Sequence, residues 1–120
     1  MLELTQEFGF DAAHFMPHRK AGDRYRRMHG RFVCTEVALK GEGDATTGRA
    51  RDFGEIKVAL DEVGSTLDHR LLNDLPGLKN PTLENLARFI FAAVNFSLPG
   101  IVRVRVSRPS YGQCCIYEPR

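Results

Sequence analysis

Along the first fourteen residues the apolar side chains fall on alternate positions. Leu2, Leu4, Gln6, Phe8, Phe10, Ala12 and His14 form one row, and the odd positions between them are mostly polar or small. Such a period of two describes a strand with one buried face, and His14 closes the inward row. A loop rich in glycine, lysine and arginine follows from about Pro17 to Arg27. A second strand is predicted from about Met28 to Lys40, with His29, Arg31, Val33, Thr35, Val37 and Leu39 on one face and Cys34 on the other.

The turn cluster GEGDATTG, Gly41 to Gly48, ends that strand, and a short third strand is expected to reach Asp52 and Phe53. The period then changes. Ile56, Leu60, Val63 and Leu67 recur at helical spacing and predict an amphipathic helix. NPTLEN opens a second helix, with Thr82 as N-cap and Glu84 in the first turn, running through LARFIFAAVNF to about Pro99-Gly100. A last strand, IVRVRV, sets Val102, Val104 and Val106 against Ile101, Arg103 and Arg105, and the same parity puts Arg108 on the valine face. The order β-β-β-α-α-β reads as an α+β fold with both helices grouped on one face of the sheet.

At 120 residues this is the length of a single domain, 1–120. The net charge of +2 is too small to point to nucleic acid, and no apolar run approaches the ~18 residues of a membrane span. Three cysteines, two of them adjacent, make no disulfide framework and suit a reducing cytoplasm. The basic residues are lopsided, with 13 arginines against four lysines. Codon bias accounts for that by itself; the alternative is that several guanidinium groups grip anions, which they do better than ammonium groups.

Two constellations carry candidate chemistry. His14 and His29 end and begin inward-facing rows, so with a third ligand they would hold zinc with an open position. The residue two beyond His29 is Arg31, which has no lone pair to give a metal. Asp68-His69 is the second: a carboxylate beside an imidazole can orient it as a general acid or base.

FDAAH, MHG, RDFGEIK, LDHRLLND, NPTLENLA and a final C-I-Y follow one another in order from Phe10 to Tyr117. Together they resemble the 6-pyruvoyltetrahydropterin synthase and 6-carboxytetrahydropterin synthase family. The resemblance implies a tunnelling fold, an antiparallel ββααββ sheet with two helices on one face, in which the expected third strand becomes part of a long hairpin. It also implies a homohexamer of two trimers, sites between subunits, and a zinc held by three histidines acting on 7,8-dihydroneopterin triphosphate.

Carried onto this chain, the resemblance makes His14 and His29 metal ligands, with Arg31 in the third place. Asp68 and His69 match the proton relay. Tyr25 stands where the family has a cysteine, and Arg108 falls near its ring-gripping glutamate. Arg49 and Arg51 replace apolar residues before Asp52 and Phe53. Zinc is therefore expected to be weak or absent unless His18 or an acid replaces the third ligand. The expected partner is a small anionic or pterin-like ligand, gripped by Arg31, Arg108, Arg49 and Arg51. Two function classes follow: a lyase-type enzyme whose parent reaction is altered or lost, and a non-catalytic oligomeric binding protein on the same fold. In either, the bland reading is drift, with the arginines turned to solvent.

Overall fold

The computed structural model describes residues 1–119, apart from the side chains of Tyr25 and His29. Four antiparallel strands, β1 (Leu2–His14), β2 (His29–Gly41), β3 (Ile101–Arg108) and β4 (Gln113–Tyr117), pair in chain order. Helices α1 (Phe53–Leu67) and α2 (Leu83–Ser97) are inserted between β2 and β3. The long β1–β2 hairpin dominates, pairing Leu2 with Gly41 at one end and His14 with His29 at the other.

The inward rows read from the alternation supply most of the sheet's share of the core. Phe10, Val33, Val37, Leu39, Val104 and Val106 meet Ile56, Leu60 and Leu67 of α1 and Leu86, Ile90 and Val94 of α2. Burying that apolar surface drives the two layers together. Both helices start where their caps direct. Asp52 accepts a hydrogen bond from the Gly54 backbone N–H at 2.9 Å, and Thr82 accepts one from Asn85 N–H at 3.1 Å.

Three features depart from the sequence pattern. Residues 42–52 form turns and irregular chain in place of a third strand. Asp44 supplies the reason, accepting from the backbone N–H groups of Thr46 and Thr47 and so bonding the chain to itself rather than to a neighbouring strand. A register shift between Ala38 and Leu39 breaks the parity of β3, so Ile101 rather than Val102 packs in the core. The pattern of residues also gave no warning of β4, which the family resemblance implied. Gly112, at φ +64°, makes the reversal from β3 into β4 in a region that side chains rarely occupy.

The outer sheet face has its own packing. The Phe32 ring lies across Gly9, where a Cβ would come within 2.5 Å of it. Glu3 and Arg103 form a two-pronged ion pair at 3.1 and 2.8 Å that reaches from β1 over β2 to β3. Among the described residues, no helix is long and apolar enough to cross a membrane.

Candidate functional site

The open end of the hairpin collects most of the chemistry-bearing residues. His14 is buried there, 1% exposed, and opposes His29 in the backbone register, while Ala12 opposes Arg31. The side chains of His29 and Tyr25 lie outside the described residues.

Just past α1, the chain is bonded to the edge of β1. Asp11 receives the His69 N–H on its carbonyl at 2.6 Å, and Ala13 N–H donates to Arg70 O at 3.0 Å, next to a parallel bridge between Ala13 and Leu71. His69 takes φ +56°, the left-handed region, which an L-residue enters only when its surroundings hold it there. The Asp68 carboxylate accepts the Asp11 backbone N–H at 3.0 Å with one oxygen and faces His69 Nδ1 at 2.9 Å with the other. The Asp11 N–H first, and the His69 contact second, hold this carboxyl below the usual aspartate range. A proton on Nδ1 is thereby fixed toward Asp68, leaving Nε2 for a reacting group. The His69 side chain is 81% exposed and borders a shallow cleft of about 440 Å³ with Asp11, Ala12, Gly30 and Arg31.

Around the end of β3 the electrostatics reverse. Arg108 is only 8% exposed; its Nη2 donates to Pro81 O at 3.3 Å, and its buried Nε has no partner. Arg31 is half-buried, donates from Nη1 to Gly30 O at 2.8 Å, and also has a buried Nε without a partner. Its guanidinium carbon stands 4.6 Å from the centre of the Tyr111 ring, a cation–π contact. Burial foremost, then the charge of Arg31, push the Arg108 pKa below the arginine range, and Glu84 acts in the opposite sense. A second cleft of about 630 Å³ opens here, bordered by His18, Arg19, Glu84, Arg108, Tyr111 and Cys115.

The expected site residues thus divide into groups. Asp68 and His69 meet directly, and Arg31 stacks on Tyr111, which shares a cleft wall with Arg108. Arg49 and Arg51 stand at the other end of the hairpin, beside Leu2, Leu4 and Asp52, where Arg51 Nη1 donates to Pro99 O at 3.3 Å. Within one chain they do not join the other arginines. The side-chain pattern gave no sign of Tyr111 as a site residue; its signal was the turn P-S-Y-G. Glu84, a helix-start anion by its position in the sequence, also forms a wall of the larger cleft.

The three-histidine metal centre implied by the resemblance does not fit the residues present. Arg31 takes the third position with a guanidinium that has no lone pair and is engaged with Gly30 O and Tyr111.

A β1–β2 hairpin, two helices on one sheet face and an aspartate–histidine pair after the first helix define a class as well as a shape. Residues 3–120 match the family model for 6-pyruvoyl tetrahydropterin synthase, and the chain belongs to that family. It is 37% identical to a 6-carboxy-5,6,7,8-tetrahydropterin synthase of Synechocystis sp., over 98% of this chain and 94% of the relative. A dihydroneopterin monophosphate aldolase of Pyrococcus furiosus is 35% identical, over 80% of this chain and 77% of its own. In fold, the 6-pyruvoyl tetrahydropterin synthase of Caenorhabditis elegans superposes with a TM-score of 0.88 at 24% identity, covering 99% of this chain and 96% of that one. The tunnelling-fold expectation and the observed α+β sheet agree.

Proposed function

We propose that this chain is a lyase-type enzyme acting on a pterin-related, anionic small molecule, with Asp68 and His69 as its proton relay. The observation that carries the reading is the 2.9 Å contact between Asp68 and His69 Nδ1, with Asp68 itself fixed by the Asp11 N–H. Lyase chemistry on a hydroxylated side chain requires one proton to be removed and another delivered. An imidazole can both accept and donate a proton in such a step, which makes it the usual side chain for the role. Asp68 holds the ring orientation and stabilises the imidazolium when it forms.

No step of this reading passes through zinc, because Arg31 stands where a third histidine would supply a lone pair. In that respect the parent reaction is altered. The names of the relatives bracket the chemistry, one a pterin synthase and the other an aldolase for a dihydroneopterin phosphate. A homohexamer of two trimers is part of the proposal. Support comes from the outer edge of β4 and from that of β1 up to Gly9, which pair with no strand among the described residues, and from exposed Leu2, Phe32 and Ile116. Light scattering tests the mass.

The deciding assay offers dihydroneopterin triphosphate and dihydroneopterin monophosphate, with and without added zinc, to the native chain and to His69→Ala. Turnover lost on substitution supports the relay; turnover unchanged in the variant removes it. A second reading, a non-catalytic oligomeric binding protein, is favoured by one observation: the buried Arg108 faces a cleft and serves binding without any relay. Ligand binding with no turnover on either compound supports it.

A further inference from the structure

We propose that Arg108 and Arg31 form a site for a dianionic phosphate group, reached through the cleft beside the start of α2. This deepens the reading above by naming the ligand as a phosphate monoester, and rests on that reading only where turnover is concerned.

The first observation is an unpaired buried cation. Arg108 is 8% exposed and makes a single hydrogen bond, the one at 3.3 Å to Pro81 O. Among the described residues neither Arg108 nor Arg31 forms an ion pair, and both present a buried Nε–H with no acceptor. A guanidinium removed from water without an ion-pair partner is unfavourable, and a second one nearby adds repulsion. An anion placed between them cures both defects.

The second observation is the built surroundings. The cleft that Arg108 borders holds about 630 Å³, within the ~300–1,000 Å³ of ordinary small-molecule sites. Tyr111 forms part of its wall and fixes the Arg31 guanidinium by stacking at 4.6 Å. The first turn of α2, Thr82 to Glu84, borders the same space, and its helix dipole adds positive potential. Arg19 is at the wall too, though paired with Asp23 at 3.4 Å. Glu84 opposes an anion, and as an exposed first-turn carboxylate it is screened by water.

Charge and shape decide the ligand class. Two guanidinium groups carry two positive charges, and a phosphate monoester carries about −1.5 to −2 at neutral pH. A monocarboxylate would neutralise only one. Planar forks with several N–H donors suit the many acceptor oxygens of phosphate. The volume exceeds what phosphate alone fills, so the phosphate is one end of a larger molecule. Arg31 also borders the His69 cleft, which puts the anion site next to the relay.

Calorimetric titration at constant ionic strength, set with chloride, tests this with inorganic phosphate, phenyl phosphate and acetate. The proteins are the native chain, Arg108→Gln, Arg31→Gln and His69→Ala, each checked for folding by circular dichroism. The native chain and His69→Ala are expected to bind both phosphates saturably, at least tenfold more tightly than acetate. Each arginine variant should lose at least tenfold in affinity. If Arg108→Gln fails to fold, Arg31→Gln, altered at a half-buried position, carries the test. No saturable phosphate binding, equal binding of acetate, or unchanged binding in the arginine variants overturns the site. None of these outcomes touches the relay, which stands or falls on the turnover of His69→Ala.

Discussion

Two charged pairs lie at the same end of the sheet and could hardly be treated more differently. Asp68 and His69 are largely open to water, and the acidic member has a partner on each oxygen. Arg108 is buried and Arg31 half-buried, and each keeps a buried N–H with nothing to accept it. The first pair is complete within the chain and needs its neighbours only for orientation. The second is incomplete, and its defect has the sign and shape of a missing anion. Exposure alone would have ranked them the other way. The difference teaches that a satisfied pair describes chemistry the fold has already arranged, whereas an unsatisfied one describes what the fold still requires.

The comparison breaks most visibly at His69. His69→Ala is expected to lower kcat by about 10²- to 10⁴-fold, the usual contribution of a positioned acid–base group, with phosphate affinity unchanged. Steady-state rates on the dihydroneopterin phosphates measure it. A loss of both properties together would show that the two pairs are not separate.

Arg108→Met probes the other pair through stability. Removing a buried charge that lacks an ion-pair partner in favour of an apolar side chain should stabilise the ligand-free protein by about 1–3 kcal/mol, while phosphate no longer raises its Tm. A lower Tm in the variant, measured without phosphate, would mean that Arg108 is already compensated.

A smaller effect separates geometry from chemistry at the relay. Because His69 sits at φ +56°, His69→Gly should be more stable than His69→Ala by about 1 kcal/mol, and both should be equally inactive. Urea unfolding of the two variants compares them.

The smallest effect lies in acid. The Asp68 carboxyl is held below its ordinary value, so it favours the folded state above the unfolded pKa of about 3.9. That contribution fades as the pH falls through the lower folded value. Asp68→Asn should therefore flatten the loss of stability below about pH 4, and equal acid limbs in the two proteins would argue against the carboxylate's bonds.

Much of this arrangement was legible in the residues, because burial obeys periods that a sequence displays. The alternation from Leu2 to His14 gave β1 to the residue, and the parity of IVRVRV placed Arg108 on the inner face, where it is buried. NPTLEN gave the cap of α2 because Thr82 needs only its own third neighbour to act. What stayed hidden depends on partners distant in the chain. The register shift at Ala38 and Leu39 turned Ile101 inward, and no local pattern announces a bulge. Tyr111 became part of the site through a turn that folds it onto Arg31, 80 residues away in sequence. Arg49 and Arg51 could be aligned but not placed, since alignment has no third dimension. Only the structure shows them at the far end of the hairpin.

The stitching of residues 68–71 to the edge of β1 has a consequence for time as well as for position. The amides of Asp11, Ala13 and His69 are each consumed by that seam. Their exchange with deuterated solvent therefore requires the seam to open, although they lie at the margin of the sheet. They should exchange together, at one shared rate well below that of the neighbouring surface loops. The backbone that carries the His69 imidazole is thus released only when its seam with β1 opens.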